Sequence, residues 1–492
     1  MGGRMKLRVD GVGKIRHTEI ELNGITVIAG PNNTGKSTLG KTLFALVNAQ
    51  KDFSNNVFAD IVESVQDALL EYLDSLGRFP IAYDANIRSL PRILTKTFIT
   101  ASSVDSAMIS RWLKKQAASA MQDDSSDAEN DEESHIFVGR KLSKTKLSEI
   151  YKEMAGRKAA ALSFRKKCAA IFGRKTAYFR SKFAQTEFQG VFQSQPISLI
   201  KGSDMKASVS LIDDSSAALL TSKVVFADGR CTLAAENLGE QYNVLMLDSP
   251  NDITYLLDDG AESDSRYWSS RARNRWWVSS STGSLIEDQT RRIISSGAAT
   301  SASLLNGSGK DSSEDLVGNI LKLLNTAHSG SVGKDSDGRL VMNEPDIDVV
   351  KPLMLANASM GVKSVELLKE LLRRGVIGKN TFLVLDEPEI HLHPEWQLIY
   401  ARALVVMARE LGVKILVTTH SPYFAEALYV YSKKLQIDGL KKVYVPNKNE
   451  DGSVTYQDRS GIGESEIFDD MAKPFEDLEK VQASIDEGCE EE

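Results

Sequence analysis

Apolar residues open the chain in short clusters. Lys6 to Val12 and Thr18 to Leu22 read as two strands, and the apolar run Ile25 to Ala29 as a third. A helix of good formers follows at Ser37 to Val47. From about Phe53 to Phe183 the spacing turns mostly helical, as in Ile61, Val65, Ala68, Leu69 and Tyr72. Between Pro196 and Tyr255 it becomes strand-like, with alternation in Ala207 to Leu211 and apolar residues at Val224 to Phe226. Asp258 to Ser313, rich in Ser, Gly and Asp, is expected to be largely loop. Helical spacing returns at Leu316 to Leu324 and Ser364 to Leu372. A strand, helix, strand series then runs through Phe382 to Leu385, Trp396 to Leu411 and Lys414 to Thr418. The pattern predicts an α/β fold with a mostly helical insertion.

Composition narrows the classes. A chain of 492 residues exceeds one simple core, so two or three structural units are expected. The formal net charge of -7 provides no overall basic field, which leaves nucleic-acid binding to local patches. An acidic tract, Asp123 to Glu133, reads as a disordered loop, and Arg140 to Lys182 is strongly basic. No apolar run approaches the roughly 18 residues that span a bilayer, so no membrane is expected. Cys168, Cys231 and Cys489 are scattered and form no CxxC pair. That excludes a cysteine zinc site and a disulfide framework, and suits a cytoplasmic protein.

The chemistry concentrates in three places. Gly30-Pro31-Asn32-Asn33-Thr34-Gly35-Lys36-Ser37 fits G-x-x-x-x-G-K-[ST], with a strand before it and a helix, beginning Ser37-Thr38, after it. Such a loop turns backbone N–H groups around phosphates, so ATP is the expected ligand. Lys36 would reach the β and γ phosphates, and Ser37 would help to hold Mg2+. Downstream, the apolar strand Phe382 to Leu385 ends on Asp386-Glu387. Asp386 is the expected Mg2+ partner, and Glu387 the group that polarises an attacking water. A further strand ends on His420, placed to donate to a γ-phosphate.

With these elements in this order the chain resembles ATPases of the ABC type. The run Glu387-Pro388-Glu389-Ile390-His391-Leu392-His393-Pro394 is similar to the branch holding the overcoming-lysogenization-defect family, recombination-mediator ATPases and many prokaryotic anti-phage ATPases. The resemblance covers roughly residues 5–50 and 340–430. It implies an ATPase head assembled from both ends of the chain: 1–50 and 341–445, with a β-rich part at 185–255. The helical insertion would span 51–184, a variable segment 256–340, and a C-terminal tail 446–492. It also implies that Ser359 and Gly361, in Asn357 to Ser364, contact the γ-phosphate of nucleotide held by a second subunit. Gln185, Gln189 and Gln193 compete for a glutamine that senses Mg2+ and water, with Gln189 preferred. His391 and His393 fit positioning at a subunit seam better than a metal site, which needs more ligands.

The expected function is an ATP-hydrolysing sensor or scaffold in anti-phage defence, a homodimer or higher oligomer that controls a separate effector, a nuclease or toxin. The stretch after His420 is too short for the nuclease domain that some relatives fuse there. The alternative is a DNA-repair ATPase that grips nucleic acid through its insertions. Arg271, Arg273 and Arg275, interleaved with Trp268, Trp276 and Trp277, suit base stacking, a protein anchor or packing on their own domain.

Overall fold

The computed structural model describes residues 5–51, 53–75, 158–192, 206–214, 220–227, 230–236, 242–248, 310–337, 339–345, 353–461 and 464–486. The acidic tract at 123–133, the Arg/Trp segment at 266–277, Gln193 and most of the basic stretch lie outside these residues. The chain divides into two compact units, Met1–Lys51 with Arg180–Glu492, and Asp52–Phe179.

The elements of the first half are β1 (Met5–Val12), β2 (Ile15–Glu21), β3 (Ile25–Ala29), α1 (Lys36–Asn48), α2 (Phe53–Ser75), α3 (Lys158–Phe172) and α4 (Thr176–Phe192). Then come β4 (Lys206–Asp213), β5 (Leu220–Ala227), β6 (Arg230–Glu236), β7 (Asn243–Leu247), α5 (Lys310–Asn325), β8 (Ser331–Lys334), β9 (Leu340–Asn343) and β10 (Leu353–Met354). The last are α6 (Met360–Arg373), β11 (Thr381–Asp386), α7 (Pro394–Val406), β12 (Lys414–Thr419), α8 (Pro422–Lys434), β13 (Lys441–Lys448), β14 (Val454–Asp458) and α9 (Glu464–Asp486).

An eleven-stranded sheet, ordered β6-β5-β4-β1-β2-β14-β13-β3-β12-β11-β7, organises the first unit. Its β6-to-β2 half is antiparallel, and β3, β12, β11 and β7 run parallel. The parallel strands are covered on both sides, so they read as continuous apolar runs rather than alternating ones. Strand period still sorts their side chains. Ile25, Val27, Leu383, Leu385, Ile415 and Val417 enter one core with α5 to α8. Ile28, Phe382, Val384 and Leu416 enter the other, under α1 and α4. Each such aliphatic side chain contributes about 1.5–3 kcal/mol by leaving water. The resulting α/β head is assembled from distant segments. A smaller sheet, β10-β9-β8, adds to the first core through Met342.

Two local outcomes differ from the pattern. Helix α4 runs to Phe192, past Phe183 and into the part expected to be β-rich from residue 185, because Ala184, Phe188 and Val191 keep a helical stripe on the sheet. The sheet also continues beyond residue 445. The hairpin β13–β14 lies between the N-terminal strands, β13 parallel to β3 and β14 parallel to β2.

The second unit holds α2 and α3. Val65, Ala68 and Tyr72 of α2 and Phe164, Cys168 and Ile171 of α3 are buried. The Tyr72 and Phe164 rings lie 5.5 Å apart, and Arg174 pairs with Asp60 at 3.3 Å, so the two helices run antiparallel.

Candidate nucleotide site

Strand β3 delivers the chain to Gly30, whose N–H donates to the Thr419 carbonyl at the end of β12. The loop then turns through Asn33 (φ 63) and Gly35 (φ 89) into α1. At Gly35 the left-handed backbone favours a residue without a Cβ. No side chain caps α1. Among the described residues the N–H groups from Asn32 to Ser37 have no acceptor. Unpaired amides at a helix N-terminus form an anion cradle, and phosphate oxygens fit it.

The Lys36 side chain is 4% exposed, and its Nζ donates to the Gly30 and Pro31 carbonyls, each at 2.9 Å. Burial pulls its pKa below the usual lysine value, against the opposing pull of Glu387, Asp386 and Glu389. Thr34 Oγ1 also donates to the Pro31 carbonyl, at 2.9 Å.

Asp386 ends β11. Its Oδ1 accepts from Ser37 Oγ at 2.9 Å and from Thr418 Oγ1 on β12. A carboxylate and a hydroxyl are hard oxygen donors, suited to Mg2+ when phosphate and water complete the shell. No cluster of three or more His, Cys, Asp or Glu suited to a metal occurs among the described residues. His393 caps α7, its Nδ1 accepting from the Glu395 N–H at 3.4 Å. The His391 carbonyl packs on Gly361.

Glu387 sits in the left-handed region at φ 49. A non-glycine residue there stores on the order of 1–3 kcal/mol of strain. Its N–H is held by the Thr418 carbonyl at 3.0 Å. Its Oε1 lies 3.2 Å from His420 Nδ1 and 3.8 Å from Lys36 Nζ. The carboxylate thus stands between the loop lysine and the exposed His420 at the strand edge. Beneath it, Glu389 is buried and accepts from Thr419 Oγ1; burial raises its pKa, opposed by the Thr419 hydrogen bond.

Ser359 is exposed and caps α6, accepting from the Val362 N–H at 3.3 Å. Gly361 is buried; a Cβ there would lie 2.6 Å from the His391 carbonyl oxygen. Gln189 is half-buried on α4 and does not line the cavity beside Asp386 and Glu387.

Asp248, which the motif reading missed, does line that cavity of about 80 Å3. Leu247 pairs with Leu385 in the parallel register, so the next residue, Asp248, falls beside Asp386. Its Oδ1 is buried without a partner among the described residues. The sequence signal was available: Val244 to Leu247 is an apolar run ended by Asp, as Phe382 to Leu385 is.

Residues 241–426 match the family model described as "AAA domain, putative AbiEii toxin, Type IV TA system". The matched segment holds Ser359, Asp386, Glu387 and His420; the phosphate loop lies outside it and reaches the site through the pairing of β3 with β12. No curated protein matches the chain. Among solved structures it is similar to an SMC head bound to the C-winged helix domain of ScpA. That head is 12% identical with a TM-score of 0.40, covering 93% of this chain and 98% of the other. The SMC head domain from Thermotoga maritima is 11% identical with a TM-score of 0.36, covering 93% and 99%. An Smc head domain with an extended coiled coil, bound to the C-terminal domain of ScpA derived from Pyrococcus furiosus, is 12% identical. Its TM-score is 0.37, with coverage of 98% and 100%.

Proposed function

We propose that the chain binds Mg2+-ATP and hydrolyses it, and that nucleotide occupancy switches its association with a second copy. The observation that carries this reading is Glu387, set between Lys36 and His420 at the C-terminal ends of adjoining strands. The empty amides of the loop take the β-phosphate, and Lys36 turns from the Gly30 and Pro31 carbonyls to the phosphate chain. Ser37 and Asp386 hold the metal, which neutralises phosphate charge when bound. Glu387 accepts a proton from, and orients, the attacking water; His420 reads the γ-phosphate.

Ser359, exposed at the N-terminus of α6, is available to a nucleotide on another subunit. Two heads would then share each ATP, and hydrolysis would part them. The toxin–antitoxin description of the matched family supports a role in defence; a separate nuclease or toxin as the controlled effector goes beyond that description. Cys168 and Cys231 are buried free thiols, which fits a reducing cytoplasm.

Phosphate release and light scattering test the proposal together. Lys36→Ala should abolish turnover. Glu387→Gln should bind ATP, lose turnover by about a hundredfold or more and accumulate as a dimer or larger assembly. A Glu387→Gln protein that stays monomeric with bound ATP would remove the shared-site part of the reading.

A further inference from the structure

The C-terminal hairpin does more than extend the sheet. Tyr456 and Pro446 are cross-strand partners on β14 and β13. Pro446 packs on Gly30 so closely that a Cβ at Gly30 would lie 2.7 Å from the proline ring. Tyr456 Oη donates to the Thr34 carbonyl at 3.1 Å. From the β1–β2 turn, Lys14 Nζ donates to Asn33 Oδ1 at 2.5 Å and to the Asn33 carbonyl at 3.4 Å. Two successive loop carbonyls are thus each held by a side chain from outside the loop.

In a planar trans peptide the C=O and the following N–H point in opposite directions. Fixing the Asn33 and Thr34 carbonyls therefore fixes the Thr34 and Gly35 N–H groups. These are two of the loop amides that have no acceptor among the described residues. Resting on the nucleotide reading above, we infer that Tyr456 and Lys14 are positioning residues that aim the Thr34 and Gly35 amides at a bound diphosphate. Burial raises the Tyr456 pKa, so the phenol remains a protonated donor at neutral pH. The lysine's hydrogen bonds are exposed and sensitive to salt; the tyrosine's is partly buried and less so.

The consequence is for ground-state affinity. Amides that grip the diphosphate hold ADP and ATP alike, so their misdirection raises KM and leaves kcat nearly unchanged. One neutral hydrogen bond corresponds to about a fivefold change.

The test measures displacement of a fluorescent ADP analogue by ADP and by pyrophosphate, in wild type, Tyr456→Phe and Lys14→Met. Each variant should weaken ADP and pyrophosphate by the same factor, about three- to tenfold, at an unchanged melting temperature. Unchanged affinity in Tyr456→Phe would overturn the inference. So would a loss confined to ADP, because the phenol would then act on the nucleoside. A lower melting temperature with unaltered affinity would reduce Tyr456 to a packing role and overturn it too. Wild type that binds neither ligand would instead overturn the nucleotide reading itself.

Discussion

Lys369 offers the sharpest test of how the helix carrying Ser359 is held. It sits on α6 with its side chain fully buried. Its ammonium donates to the His328 carbonyl at 3.1 Å, the Gly330 carbonyl at 2.8 Å and Glu366 Oε1 at 2.5 Å. Glu366 is also fully buried; His328 Nδ1 lies 2.9 Å from it and Arg373 3.8 Å. The cluster joins α6 to the segment leading into β8. Burial depresses the Lys369 pKa, and Glu366 counteracts that pull.

Lys369→Met keeps most of the stem volume and removes the charge and all three donors. Breaking a buried pair from one side costs about 3–5 kcal/mol, because the partner stays buried and less compensated. Against a total stability of roughly 5–15 kcal/mol that is a large fraction. At about 2–4 °C per kcal/mol, the melting temperature should fall by roughly 6–20 °C. Thermal unfolding followed by circular dichroism reads this directly. The double variant Lys369→Met/Glu366→Leu, with no buried carboxylate left behind, should be less damaged than the sum of the single changes. A single variant within about 1 kcal/mol of wild type, or strictly additive losses, would refute the argument.

The same cluster makes stability depend on pH. The hydrogen bond to Glu366 leads in raising the His328 pKa, and Glu344, at 3.0 Å from Nε2, adds to it. A raised folded value means that the histidine's contribution is complete below about 6.5, its unfolded pKa, and is lost as pH rises through the folded one. The stability gap between wild type and His328→Gln, from urea titrations, should therefore be wider at pH 6 than at pH 9; equal gaps would contradict it. Gly361→Ala places a Cβ 2.6 Å from the His391 carbonyl oxygen. The expected cost is about 1–3 kcal/mol in melting experiments, with lower ATP turnover as the Glu387-to-His391 segment shifts. Wild-type values for both would show that the helix and the loop do not pack as described.

The parts of the site carried by local pattern were legible in the sequence. Apolar runs ending at Gly30, Asp386 and His420 identified three strands, and their parallel pairing in the sheet brings those ends together. The hairpin β13–β14 was not legible. Lys441 to Lys448 mixes charges with Pro446, and its sheet partners β2 and β3 lie more than 400 residues earlier. Asp248 was hidden by a short run followed by Ser249-Pro250, which reads as an ordinary turn. Glu366 and Lys369 have the spacing of a solvated helical pair, and only tertiary contact reveals that they are interior. The contacts that His391 and His393 make within the chain, a carbonyl on Gly361 and a cap on α7, were not legible in the sequence either.

The insertion of β13 and β14 between β2 and β3 sets an order in time. During synthesis β3 and the phosphate loop are made early, yet their neighbours β12 and β13 end only at Thr419 and Lys448. At about 5–20 residues per second, the first strands wait roughly 20–80 s for their partners. Through that interval the apolar edge Ile25 to Ala29 needs cover, and the nascent chain has no complete nucleotide site. A ribosome that stalls before Val454 would release a product without the strand that carries Tyr456. The strands that frame the phosphate loop are complete only once Asp458 has been made, so products truncated before β14 should lack a finished phosphate site.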